Sequence, residues 1–415
     1  MLFVGLLVGR TADIALSQCD SPSPSLFDWR QLARAGPVAY GDSLPSPERR
    51  RASYAASRSR CRAVRVSRRF PEIAYAPDFR QAVELSNWEF EMPSVAIVQQ
   101  APVLLDKAAS LGSAVAAVRE AAAKGANIVV FPEAFIPGYP AWIWRLRPGT
   151  DARLTEQIHS ALFTNAVDLG TDDLAPLRAA AREHKVCIVC GLNEREGEFG
   201  RGTLYNTVVV IGPDGTVLNR HRKLMPTNPE RMVWGMGDAS GLKTVATPHG
   251  RLSALICWEN YMPLARYAVY AQGVEIYVAP TYDAGETWIS TMRHIAREGG
   301  CWVVGSGFAL QAKDIPASFP GKAQLYPDAD EWINPGDSVV VAPGGKLVVG
   351  PLHKEYGLLY AEIDLESIPA AKRTLDTTGH YARPDIFHLA VNRSPSLPIE
   401  FQDASDRKVS TDPAV

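Results

Sequence analysis

From residue 92 onward the chain alternates between short, wholly apolar runs and longer segments whose apolar positions recur every three or four residues. Residues 94–99 (Ser-Val-Ala-Ile-Val-Gln) make a run of strand length. Asp106 to Lys124 is rich in Ala and sets Leu111, Val115, Val118 and Ala122 on one helical face, with Gly125 as the stop signal. Asn127 to Phe131 reads as a second buried strand, and Asp172 to Lys185 as a second helix. Strands are predicted at 186–191 and 205–211, the latter joined to the next strand by a tight turn at Pro213-Asp214-Gly215. Further strands fall at 251–256, 275–279 and 301–305, with helices at 261–272 and 287–298 between them. Strands apolar on both faces and separated by helices predict an α/β layered domain.

Residues 1–91 break this pattern. They hold 13 Arg and no Lys, many Ser and Pro, and no sustained periodicity. Such composition cannot bury enough apolar surface to offset the entropy of ordering. The opening Met-Leu-Phe-Val-Gly-Leu-Leu-Val-Gly has no basic residue ahead of it and makes a poor signal peptide. A disordered tail, a targeting segment and upstream sequence translated from a mistaken start codon compete as explanations. The last is favoured because Met92 stands directly before the first convincing strand. The expected division is an extension over 1–91, one domain over 92–385, and a C-terminal tail over 386–415 that is polar and Pro-containing beyond Arg383.

Composition narrows the function. The chain is 46% hydrophobic and 21% charged with a formal net charge of -2, which gives no reason to expect nucleic acid or an anionic membrane surface as partner. No apolar run approaches the roughly 20 residues of a membrane span. Six cysteines (19, 61, 187, 190, 257 and 301) are scattered without a disulfide framework, so a reducing cytoplasm is expected. Cys187 and Cys190 form a C-x-x-C on an apolar strand, where residues three apart face opposite ways, which argues against a redox or zinc pair. No zinc-ligand spacing or phosphate-binding loop occurs, and Gly235 to Gly241 lacks the preceding strand a dinucleotide loop needs.

Three residues stand where chemistry could be done. Cys257 ends an apolar strand and is followed by polar Glu259 and Asn260, then a helix; a nucleophile at such a turn is exposed near backbone N–H groups. Glu133 follows Val-Val-Phe-Pro and enters a loop rich in Pro, Gly and aromatics, so partial burial would raise its pKa toward that of a general base. Lys223 passes from a charged run into apolar Leu-Met-Pro and could point inward beside a thiolate and a carboxylate. Glu230, seven residues on, is a possible second carboxylate, and His221 a weak rival partner for the cysteine. Each has a plainer reading when taken alone: a core cysteine, a loop carboxylate, a solvated run of charge.

Taken together, these stretches resemble the nitrilase family of the carbon–nitrogen hydrolase superfamily. The matching segments are Phe-Pro-Glu-Ala-Phe around Glu133, His-Arg-Lys-Leu-Met-Pro-Thr around Lys223 and Cys-Trp-Glu-Asn-Tyr-Met-Pro-Leu around Cys257. Supporting segments are Gly-Leu-Asn-Glu-Arg at 191–195, Leu-Tyr-Asn-Thr at 204–207 and Met-Arg-His-Ile-Ala-Arg-Glu-Gly at 292–299. The likeness runs from about Val95 to about Pro384 and does not touch 1–91.

The resemblance implies a four-layer α-β-β-α sandwich carrying a Glu–Lys–Cys triad. It assigns Glu133 as general base, Lys223 as electrostatic stabiliser and Cys257 as nucleophile, with Glu230 helping to place the substrate. Trp258 and Glu259 beside the cysteine favour nitrilases over amidases and carbamoylases. The implied substrate is a small nitrile, converted to carboxylic acid and ammonia through a cysteine thioimidate and thioester, with no metal or organic cofactor. Homo-oligomers, dimers extending to spirals, are also implied. Alternatives are an amidase or carbamoylase, a cyanide-degrading enzyme, or a non-catalytic relative. Tyr139, Trp142 and Trp144 would line a pocket for an aryl or arylaliphatic nitrile, or else form core.

Overall fold

The computed structural model describes residues 92–399. The expectations for residues 1–91, and for the tail from residue 400 on, lie outside the described residues. The elements in chain order begin with β1 (Ser94–Gln99), α1 (Lys107–Ala123), β2 (Ile128–Val130), α2 (Ala152–Asn165), α3 (Ala175–His184), β3 (Cys187–Arg195), β4 (Leu204–Ile211) and β5 (Val217–Arg222). There follow β6 (Val245–Thr247), β7 (Gly250–Ala254), α4 (Pro263–Tyr270), β8 (Ile276–Thr281), α5 (Glu286–Gly299), β9 (Trp302–Gly307) and β10 (Ala309–Gln311). The remainder is α6 (Lys322–Leu325), β11 (Trp332–Ala342), β12 (Lys346–His353), β13 (Gly357–Glu362) and α7 (Ser367–Thr374).

The strands form two sheets. One is six-stranded in the order β13-β1-β2-β3-β4-β5; the other is seven-stranded in the order β10-β11-β9-β8-β7-β6, with β12 paired to β11. The centre of each sheet is parallel, β1-β2-β3 and β7-β8-β9, and the outer pairings are antiparallel.

Alternation along the strands sorts the layers. In the first sheet Val95, Ile97, Ile128, Val130, Cys187 and Val189 point one way and meet Leu252, Ala254, Ile276, Val278 and Val304 of the second sheet. Their sequence neighbours Ala96, Val98, Val129, Ile188 and Cys190 point the other way, onto Leu111, Ala114, Val118 and Ala121 of α1 and Leu177 and Ala181 of α3. The second sheet covers its outer face in the same manner: Tyr277, Ala279, Val303 and Val339 pack on Val269 of α4 and on Trp288, Met292 and Ile295 of α5. Two sheets face to face with helices outside both make the four-layer α-β-β-α sandwich. Cys187 lies in the inter-sheet core and Cys190 in the helix-facing core, so the C-x-x-C is divided between two faces.

Several boundaries differ from the sequence reading for identifiable reasons. β3 runs on to Arg195 rather than ending at residue 191, because residues 192–195 pair with 204–207 although Asn193, Glu194 and Arg195 carry no apolar signal. The strand expected over 251–256 leaves the sheet after Ala254, and Cys257 opens a short 3₁₀ turn, Cys257–Tyr261. The segment beyond Arg383 is not uniformly polar: it carries exposed Ile386, Phe387, Leu389 and Leu397. It lies along the body, where the Arg393 guanidinium donates to the Leu242 carbonyl (2.8 Å) and the Ser396 amide to Asp238 (2.8 Å).

Candidate active site

Three loops converge where the two sheets abut. The loop after β2 brings Glu133, the segment after β5 brings Lys223 and Glu230, and the turn after β7 brings Cys257. All four side chains are buried, with exposures of 0%, 1%, 1% and 4% respectively.

Backbone geometry aims them. Cys257 holds φ +50, a left-handed conformation that a side-chain-bearing residue rarely adopts, and Ala134 beside Glu133 holds φ +50 as well. Gly191 on β3 makes room for the Glu133 loop: a Cβ there would stand 2.3 Å from the Pro132 carbonyl oxygen and 2.8 Å from the Glu133 Cα. Glu230 lies three residues into a turn begun by Thr227, and its Oε2 accepts the Thr227 amide at 2.6 Å.

Lys223 sits between two carboxylates. Its Nζ donates to Glu133 Oε1 at 2.8 Å and to Glu230 Oε2 at 2.8 Å. Glu133 Oε1 also accepts from Asn206 Nδ2 (2.7 Å), and its Oε2 from the Tyr282 amide (2.7 Å), which comes from the second sheet's side. Burial works against the ammonium, but the negative charges of Glu133 and Glu230 and the hydrogen bond to Glu133 outweigh it and hold Lys223 protonated well above its ordinary range. Burial is also the main influence on Glu133, whose pKa is raised; the charge of Glu230 adds to this and Lys223 opposes it. The Cys257 thiol is pushed well up by burial and by Glu133, against the pull of Lys223 and a hydrogen bond with Thr281. The resting cysteine is therefore a thiol beside a carboxylate of raised basicity.

The remaining predicted residues are placed differently from one another. Tyr139 is buried, stacks on Tyr282 with ring centroids 3.8 Å apart, donates to Glu230 Oε1 at 2.6 Å and accepts from Trp144 Nε1 at 3.0 Å. Its hydroxyl is thus committed to the second carboxylate. Trp142 is core, whereas Trp144 and Trp258 are each close to half exposed. The Trp258 indole N–H turns to Asp283 (3.0 Å), which Tyr261 also reaches (3.0 Å). His221 faces Glu259 rather than Cys257, with Nε2 at 3.0 Å from its Oε1.

The sequence reading did not single out Asn206, Gly191, Thr281 or the Tyr282 amide as site groups, all of them neutral and without a charge signal. Arg220, which is exposed, and Arg222 both reach the buried carboxylate of Glu194, which the Thr207 hydroxyl also contacts (2.7 Å), and Arg222 lies 3.6 Å over the Tyr205 ring. A cavity of about 640 Å³ opens beside this network, lined by Arg195, Arg220, Arg222, Glu194 and Glu196 among others, and none of the four buried site residues lines it. Among the described residues no group of three or more His, Cys, Asp or Glu side chains is placed to hold a metal ion, and no helix is long and apolar enough to cross a membrane.

The family model described as carbon-nitrogen hydrolase matches residues 94–373. An aliphatic nitrilase of Sinorhizobium fredii (strain HH103) is 42% identical over 301 residues, covering 72% of this chain and 96% of that protein. Nitrilase 1 of Arabidopsis thaliana is 41% identical, covering 74% of this chain and 89% of its own length. A bifunctional nitrilase/nitrile hydratase of Lupinus angustifolius is 39% identical, covering 81% and 97%. Among solved structures, a carbon-nitrogen hydrolase from Helicobacter pylori G27 superposes with a TM-score of 0.55 at 21% identity, over 71% of this chain and 97% of that one, which speaks to the fold. The chain belongs to the nitrilase branch of the carbon–nitrogen hydrolase superfamily.

Proposed function

We propose that this protein hydrolyses an organic nitrile to the carboxylic acid and ammonia, with Cys257 as nucleophile, Glu133 as general base and acid, and Lys223 as electrostatic stabiliser. The observation that carries this reading is the single buried ammonium shared by two buried carboxylates, 2.8 Å from each, beside a buried thiol held at φ +50. A nitrile carbon is a modest electrophile and calls for a soft nucleophile, which sulfur provides. Glu133 takes the thiol proton as Sγ bonds to the nitrile carbon, and passes it to nitrogen, giving a covalent thioimidate. Water adds with Glu133 again accepting a proton, the protonated nitrogen leaves as ammonia, and a second water hydrolyses the thioester and restores the thiol. Two hydrogens of the Lys223 ammonium are committed to carboxylates, which leaves the third for charge that develops at each addition.

Residues 92–385 form the hydrolase domain in this reading, Glu230 and Tyr139 shape the substrate side of Lys223, and Trp258, next to Cys257, supports the substrate. The enzyme works in the cytoplasm as a homo-oligomer, with a small nitrile as its partner molecule. A purified-protein assay for ammonia against nitriles, the matching amides and cyanide tests the reaction. Turnover of nitriles with Cys257→Ala inactive by at least about 10⁴-fold is the expected result. Turnover of amides alone, or an active Cys257→Ala protein, would overturn it.

A further inference from the structure

One carboxylate outside the triad spans both halves of the site. Glu259 Oε1 accepts the Leu224 amide at 2.7 Å, and its Oε2 accepts the Ile256 amide at 2.6 Å. Leu224 follows Lys223 and Ile256 precedes Cys257, so a single side chain holds the backbone on one side of each. His221 Nε2 closes the arrangement, 3.0 and 3.1 Å from the two oxygens. Both side chains are fully excluded from solvent. Burial pushes the Glu259 pKa up, but His221 and the two amides more than offset it, and the group is held below its ordinary range. An ionised carboxylate only accepts, so Nε2 carries the imidazole proton. His221 Nδ1 has no hydrogen-bond partner among the described residues.

We propose that Glu259 and His221 are positioning residues that fix the Lys223 ammonium relative to the Cys257 thiol. The activity arm of this claim rests on the nitrile-hydrolysis reading; the geometry does not. His221 extends from β5 in the first sheet and Glu259 from the turn after β7 in the second. Their contact is therefore a fixed spacer between the two layers at the height of the chemistry. A Gln side chain has one acceptor oxygen and must present an NH₂ to one of the two amides, which releases one side of the spacer. A displacement of roughly 1 Å at such a site costs about 100-fold in rate.

The test uses Glu259→Gln, His221→Leu and His221→Gln in the full chain, with three readouts: kcat and KM on a nitrile, the rate at which iodoacetamide alkylates Cys257 as followed by peptide mass spectrometry, and the melting temperature. In Glu259→Gln and His221→Leu, kcat should fall about 100-fold with KM within about threefold, and alkylation should slow about tenfold or more, because the thiol loses the nearby ammonium. His221→Gln keeps an N–H donor for Glu259 and should lose less than about tenfold in kcat. Wild-type kcat and alkylation rate in either severe variant would overturn the proposal, as would His221→Gln and His221→Leu losing equally and in step with melting temperature. If Glu259→Gln does not fold, the two His221 variants decide alone. A wild type that turns over no nitrile sinks the functional reading, while the alkylation rates still decide on the spacer.

Discussion

Gly191→Ala adds a single methyl group and changes no charge, yet it should damage the site more than most charge changes at the surface. The new Cβ would lie 2.3 Å from the Pro132 carbonyl oxygen, 2.6 Å from the Ala134 amide nitrogen and 2.8 Å from the Glu133 Cα. An ordinary nonbonded contact is about 3.5 Å, so the loop must retreat by roughly 1 Å. All three neighbours are backbone atoms, and the loop is tied to β3 by the Asn193 amide on the Ile136 carbonyl (2.7 Å), so the clash cannot be relieved by rotating a side chain. Overpacking of this kind costs about 1–3 kcal/mol of stability. For a domain of this size that lowers the melting temperature by roughly 2–4 °C per kcal/mol. Moving Glu133 by about 1 Å should cost about 100-fold in kcat, equivalent to about 2.7 kcal/mol of barrier. Gly305→Ala is the control: its Cβ would meet Val339 Cγ2 at 3.1 Å and Met292 Cγ at 3.3 Å, side chains able to give way. It should shift melting slightly and leave kcat unaltered. Steady-state ammonia release and differential scanning calorimetry on both variants separate the effects. Wild-type kcat in Gly191→Ala would refute the reasoning.

Asn206→Ala removes a hydrogen bond that favours the ionised form of Glu133, so the acid limb of the kcat–pH profile should move upward; an unmoved limb would remove Glu133 as the titrating base. Lys223→Met leaves two buried carboxylates without a counter-charge and should cost about 3–5 kcal/mol at pH 7. That deficit should shrink as the pH falls and the stranded carboxylates take up protons, which urea unfolding between pH 7 and 5 would show. Cys190→Ala, in the helix-facing core, should lower stability and leave kcat intact; loss of activity in a folded protein would contradict the layer assignment.

The layered architecture was legible because the central strands are apolar on both faces and are separated by segments of helix length. What escaped the reading obeys other rules. β13 pairs with β1 across more than 250 positions of chain, Leu359 against Ile97, and only the fold brings them together. Asn193 and Glu194 lie in a strand although they are polar, because Trp234 Nε1 (2.9 Å) and the arginines of β5 satisfy them there. Glu133 and Cys257 stood out by position, each at the end of an apolar strand, and Lys223 stood out where a charged run gives way to an apolar one. Asn206 and Gly191 did not, since neither carries charge: one acts through a single hydrogen bond to Glu133 and the other by leaving room for the Glu133 loop. His221 was noticed for its chemistry and set aside as a weak rival partner for the cysteine, but its actual partner Glu259 went unseen, because strand spacing shows which face a residue takes and not which loop will arrive opposite it.

Glu133 and Lys223 come from the first sheet's loops and Cys257 from the second's, and the two layers meet through side chains and a few bonds such as the Tyr282 amide on Glu133 and the Ser338 amide on Gln99 (3.0 Å). Sliding of one sheet over the other, by less than the width of an atom, would part the Glu133 carboxylate from the Cys257 thiol while every strand kept its own partners. The proposed hydrolytic centre is in effect a gauge of shear within the sandwich. Mild denaturant or pressure should silence it while circular dichroism still reports intact sheets and helices, so that loss of turnover comes before loss of fold.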